Sequence, residues 1–178
     1  LVGDSLAMTV LGYETTIPVT VEEMLHHTKA VTRAVKRAFV IGDMPFMSNA
    51  IIEDAVRNAG KFVKEGGTDA VKVEGGRGVV PIISAILSAG IPVMGHIGLT
   101  PQLSSMLGGF KVQGSDAKKA QKIIDDAVAV EDAGGFAIIL ECVPNEVSHV
   151  ITERLEIPTI SYGAGLSYDG QGLVAHDI

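Results

Sequence analysis

Five short apolar runs in this 178-residue chain are each followed at once by an acid or an imidazole. Asp4 follows Leu1–Gly3, Asp43 follows Ala38–Gly42, Glu74 follows Ala70–Val73, His96 follows Pro92–Gly95, and Glu141 follows Phe136–Leu140. Brought into one pocket, the ionised side chains of Asp4, Asp43 and Glu74 would repel one another unless a cation sat between them. All-oxygen ligands suit Mg²⁺, which keeps several waters and leaves positions open for substrate; the plainer alternative is that one or more of these acids caps the helix that follows. Lys72 precedes Glu74 by two residues, so the two share a strand face. A lysine pointing inward there needs either an acidic partner, Glu74 or Asp43, or an anionic substrate.

Glu141 stands between an apolar run and Cys142-Val143-Pro144, a setting for a general base or for a charge at the N-terminus of the next helix. His96, in Gly95-His96-Ile97-Gly98, can donate to a carbonyl or enolate oxygen or simply bond its own loop. Cys142 reads as a structural thiol, since no histidine accompanies it. His26 and His27 are neighbours about 100° apart on one helix, so they cannot chelate together and are expected to face solvent. No H-E-x-x-H, Walker or G-x-G-x-x-G pattern occurs.

These residues have to be positioned by alternating strands and helices. The apolar runs continue with Pro158–Tyr162 and, more weakly, Leu173–Ala175. Amphipathic stretches separate them, at about Ile51–Lys64, Val79–Ser88, Asp116–Asp132 and Asn145–Leu155. The clearest helix starts after Thr20, where Glu23 completes a capping box and Met24, Leu25, Thr28, Val31 and Val35 recur at helical spacing. Glycines at Glu65-Gly66-Gly67, Ser88-Ala89-Gly90 and Asp132-Ala133-Gly134-Gly135 supply helix stops. This alternation predicts parallel strands with crossover helices. A (β/α)₈ barrel explains the chemical pattern best, because all its strand ends converge on one face; an open doubly wound sheet gathers only those at its switch point.

Composition narrows the partners. With 14 basic against 21 acidic side chains the net charge is −7, which argues against a nucleic-acid surface. A hydrophobic share of 47% excludes a disordered chain, and no apolar run approaches the ~18 residues of a membrane span. The single cysteine fits a reducing compartment, consistent with a cytoplasmic protein. The length suits one domain over residues 1–178.

Taken together, Leu1-Val2-Gly3-Asp4-Ser5-Leu6, Gly42-Asp43-Met44-Pro45-Phe46-Met47, Val71-Lys72-Val73-Glu74-Gly75-Gly76, Gly95 through Gln102, Gly109 through Gly114, Leu140 through Pro144, and Gly163-Ala164-Gly165 followed by Asp169-Gly170-Gln171 closely resemble ketopantoate hydroxymethyltransferase. The resemblance covers nearly the whole chain in order. It implies a Mg²⁺-dependent TIM barrel that moves a one-carbon unit from 5,10-methylenetetrahydrofolate to 3-methyl-2-oxobutanoate through a Mg-stabilised enolate, giving 2-dehydropantoate. By match to its motifs, Asp4 and Asp43 would hold the metal, with Glu74 joining directly or through water. Ser5, nearby backbone amides and Lys72 would hold the oxo acid, together with the Asp pair. Glu141 would be the base and His96 its assistant. A homo-oligomer is also implied. Ala7, Asn49 and Ser161-Tyr162 depart from the usual family pattern, outside the expected ligands and base. Against a barrel of typically about 250 residues, the strand count and the resemblance place the first strand before Leu1 and further helical residues after Ile178. The competing readings are a phosphoenolpyruvate mutase or isocitrate lyase type of Mg²⁺ barrel, which would want a reactive cysteine, and a degenerate barrel serving as a scaffold.

Overall fold

Six strands, β1 (Ile41–Asp43), β2 (Ala70–Glu74), β3 (Val93–Gly98), β4 (Ala137–Glu141), β5 (Thr159–Tyr162) and β6 (Gly170–Gln171), make one parallel sheet in sequential order in the computed structural model, which describes residues 1–176 and 178. Because the order never reverses, there is no switch point and the connections wind one way, as barrel construction requires. Among the described residues β6 does not pair back to the first segment, so the sheet is an open half-barrel, in keeping with the expectation that residues 1–178 supply only part of a (β/α)₈ ring.

Residues alternate between two faces. The outward set, including Val71, Val73, Val93, Ile138 and Leu140, packs against helix residues such as Met24, Phe62, Ile83, Ile86 and Val130 in one continuous core. Each large side chain fully buried there contributes roughly 1.5–3 kcal/mol. The inward set makes a second apolar cluster of Ile41, Ala70, Met94, Ala137 and Ile139, with Ile160 and Tyr162 against it. One step further along the strands the same face turns polar, at Asp43, Glu74, His96 and Glu141. The register fixes these neighbours: Asp43 lies opposite Lys72, Glu74 opposite His96, and Glu141 opposite Tyr162.

The helices follow their local signals. Helices α1 (Leu6–Thr9), α2 (Val21–Ala34), α3 (Ile52–Lys61), α4 (Val80–Ser88), α5 (Ser104–Leu107), α6 (Ala117–Asp132) and α7 (Asn145–Arg154) connect the strands. Thr20 and Glu23 form the expected reciprocal capping box, and Asp116 caps α6 through the Lys119 amide. Gly67, Gly90 and Gly134 all adopt the left-handed conformation that ends a helix.

Some boundaries differ from expectation. The run Leu1–Gly3 contributes a single bridge, Val2 to Gly42. Strand β1 begins at Ile41, because Phe39 turns outward to stack edge-on against Phe136, centroids 5.6 Å apart. Strand β3 runs two residues beyond His96, which therefore lies inside the strand. The weak run Leu173–Ala175 is not a strand; β6 sits upstream at Gly170–Gln171, where Asp169 accepts bonds from the Thr159 amide and hydroxyl and pins the segment to β5. Helix α3 widens into a π-turn over Phe62–Gly66. That turn drives the fully buried Phe62 ring against Gly42, where a Cβ would collide with it.

Candidate active site

The polar end of the inward face opens into a cavity of about 450 Å³, lined among others by Asp4, Asp43, Lys72, His96, Glu141 and Tyr162. Ser5 and Glu74 line it too, so every residue expected to act as ligand, base or substrate contact meets there. Strands β1 to β5 contribute through alternation, and Asp4 is delivered by the turn between the Val2 bridge and α1. The Asp4 amide donates to Asp43 Oδ2 at 2.9 Å, locking the two carboxylates side by side.

Lys72 is the hub. Its ammonium lies 3.0 Å from Asp43 Oδ2, 3.0 Å from Glu74 Oε1 and 3.0 Å from His96 Nδ1, so that two carboxylates accept from it and the imidazole closes the third side. Burial alone would pull its pKa down, but Asp43, Glu74 and Asp4 outweigh burial and hold it above the ordinary lysine range. Burial likewise pushes the Glu74 carboxyl up, and Lys72 and His96 overturn that and bring it down to about 2. Asp4 goes the other way: burial first, and then the neighbouring Asp43 charge, raise it well above the ordinary carboxyl value. Asp43 is also raised, by burial, against the pull of Lys72.

With all four carboxyl groups ionised, they would face one ammonium and one imidazolium, a deficit of two positive charges that a divalent cation would match. One oxygen is conspicuous: Asp43 Oδ1 is buried without a hydrogen-bond partner. Asp4 and Asp43 thus suit a hard cation completed by water and substrate oxygens. Glu74 is linked to this pair through Lys72, which contacts both Glu74 and Asp43. Among the described residues no three acidic, His or Cys side chains form a set able to hold a metal. Its Oε1 is engaged by Lys72 and His96 and its Oε2 by the Gln102 amide. Glu74 also anchors Lys72 and His96.

His96 bridges this cluster to Glu141, whose Oε2 lies 3.1 Å from Nε2, though off the line of a good hydrogen bond. Burial and Lys72 disfavour the imidazolium; Glu74 and Glu141 favour it more and raise the His96 pKa to about 9. The amides of Leu6 and Ala7 are taken by the carbonyls of Gly3 and Asp4, while Ser5 lines the cavity. His27, expected to face solvent, is half-buried along the cavity margin, while His26 is exposed. Cys142 is half-buried, and burial together with Glu141 pushes its thiol up, which disfavours a nucleophilic thiolate.

Two participants carried no role in the sequence. Gln102 is buried and donates from Nε2 to Asp4 Oδ2 and to the Met44 carbonyl, both at 2.9 Å. Tyr162 points into the cavity beside Glu141, over Gly172, where a Cβ would strike its ring.

A family model described as ketopantoate hydroxymethyltransferase matches residues 1–178. The chain belongs to this family. Proteins named 3-methyl-2-oxobutanoate hydroxymethyltransferase are 60% identical in Carboxydothermus hydrogenoformans and 59% identical in Clostridium novyi, each covering all of this chain. A third, from Moorella thermoacetica, is 58% identical. The chain spans 65% of the length of the first two relatives and 66% of the third. In fold it is similar to a crystal structure from Burkholderia cenocepacia J2315 named as a lyase/mutase, with a TM-score of 0.56 at 16% identity over 89% of this chain and 57% of that one. Asp4, Asp43, Glu74, His96 and Glu141 all line one cavity. Among the described residues no helix is long and apolar enough to cross a membrane.

Proposed function

We propose that the complete protein carrying this chain transfers a hydroxymethyl group from 5,10-methylenetetrahydrofolate to 3-methyl-2-oxobutanoate, giving 2-dehydropantoate and tetrahydrofolate in pantothenate synthesis, as a cytoplasmic homo-oligomer built on a complete barrel. The observation that carries this reading is the partnerless Asp43 Oδ1 in a buried, electron-rich cluster that also holds Lys72, His96 and Glu141. Asp4 and Asp43 would hold Mg²⁺, which when bound supplies Lewis-acid polarisation of a 2-oxo acid. The protein's own groups do the rest. Lys72 sets positive charge at the cavity floor, where an oxo acid's carboxylate needs it. The Ile139 and Tyr162 side chains offer an apolar wall for the branched alkyl end.

Glu141 takes the proton from C3 of the oxo acid, and the carbon left behind bonds to the folate's methylene carbon. Both bonds from the methylene carbon to folate nitrogens break and water supplies the hydroxyl, so that tetrahydrofolate leaves with the C3 proton and one proton of water on its nitrogens. His96, flanked by Glu74 and Glu141, holds the proton that stabilises negative charge at the keto oxygen. The mutase-type alternative is disfavoured, since its reactive thiolate has no counterpart in Cys142. The test is product formation: the complete protein, both substrates and Mg²⁺ are expected to give 2-dehydropantoate by mass spectrometry, and chelator should stop it. No product with Mg²⁺ present would refute the assignment.

A further inference from the structure

We propose that Gln102 is a positioning residue for the carboxylate pair, fixing the orientation of Asp4 so that a cation can be held between Asp4 and Asp43. This rests on the metal reading above and extends it to a residue outside the expected ligand set. Gln102 is 98 positions away from Asp4 in sequence and 58 from Met44, yet one carboxamide nitrogen reaches both. Both of its N–H donors are thereby used. Its backbone amide also donates to Glu74 Oε2 at 3.2 Å. One residue therefore ties the segment after β3 to the turn carrying Asp4, to the end of β1 and to the end of β2.

The geometry has a direct consequence for Asp4. With Oδ2 engaged by Gln102, the carboxylate cannot spin about its Cβ–Cγ bond without breaking that bond. Its plane is set relative to Asp43, whose own Oδ2 is fixed by the Asp4 amide and Lys72 and whose Oδ1 has no partner. Carboxylate ligands are commonly held by such outer partners, and losing one typically weakens metal affinity by roughly 10–100-fold. A merely structural glutamine would instead tie the loop down, and its loss would be felt in stability alone.

The experiment uses Mn²⁺ alone as probe, titrated into the complete protein and followed by electron paramagnetic resonance, with thermal unfolding measured in parallel without metal. Gln102→Met keeps the length and removes both donors. It is expected to weaken Mn²⁺ binding by roughly 10–100-fold while the fold is retained. Gln102→Asn, one methylene too short to reach both acceptors, carries the same expectation should the Met variant fail to fold. Unchanged Mn²⁺ affinity in a folded variant overturns the inference and leaves the metal reading standing. Absence of Mn²⁺ binding by the wild-type protein overturns the metal reading and the inference together.

Discussion

The Lys72 ammonium sits 3.0 Å from Asp43 Oδ2, with both side chains almost wholly buried. A charge pair this deep is held by its partners, and removing one member leaves the other uncompensated. Lys72→Met is expected to destabilise the metal-free protein by about 3–5 kcal/mol in urea unfolding. Lys72→Arg should not restore stability, because a planar fork cannot reproduce three convergent contacts of a point ammonium. A loss below about 1 kcal/mol, the range of exposed ion pairs, would contradict the hub role of Lys72.

Asp4 gives the opposite expectation. Its folded pKa is raised by burial and by Asp43, so in the absence of a cation its ionisation opposes folding once the pH exceeds the unfolded value. Asp4→Asn retains an oxygen to accept from Gln102 and is expected to raise the melting temperature of the metal-free protein at neutral pH. The same variant should lose metal-dependent stabilisation. Chelator-treated melts of both proteins check the first point, and melts with added Mg²⁺ check the second.

Stability should fall on both sides of a mildly acidic optimum. Glu74 has its folded pKa lowered to about 2, so its contribution is complete above the unfolded carboxyl value and is lost as the pH drops through about 2. His96 has its folded pKa raised to about 9, so its contribution is complete below the unfolded histidine value and is lost as the pH rises through about 9. In urea titrations across pH, Glu74→Gln should flatten the acid limb and His96→Gln the alkaline limb. Limbs of unchanged slope would contradict the charge assignments.

Two glycine replacements separate packing from propensity. Gly42 faces the Phe62 ring at a distance no Cβ can share, so Gly42→Ala is expected to destabilise by about 1–3 kcal/mol. Gly60 lies within α3 with open space where its Cβ would stand, so Gly60→Ala should stabilise by about 0.5–1 kcal/mol. Denaturant midpoints of the two variants should therefore move in opposite directions.

How far the sequence carried these conclusions depends on the range of the physics. Capping signals act within one turn, and Thr20, Glu23, Asp116 and Gly134 were readable from their neighbours. The strand ends were readable because an apolar run followed by a charge marks where a buried strand meets a polar mouth. What the sequence hid was long-range. Gln102 sits in a motif that could be quoted but not interpreted, since its acceptors come from the Asp4 turn and from β1. The ring of contacts around Glu74 was hidden in the same way, since Lys72 is two residues away but His96 and the Gln102 amide come from β3 and the segment after it. The misplaced sixth strand has the same origin: Leu173–Ala175 is more apolar than Gly170–Gln171, but the Asp169–Thr159 contacts decide which segment pairs.

The central claim is that Glu141, in this cavity, removes the C3 proton of a 2-oxo acid. The direct test is NMR of 3-methyl-2-oxobutanoate in D₂O with the complete protein and Mg²⁺, without folate, for the wild type and Glu141→Gln. The account predicts Mg²⁺-dependent loss of the C3 proton signal, slowed roughly 10²–10⁴-fold by the substitution; exchange at the wild-type rate in Glu141→Gln, or none in the wild type, would contradict it.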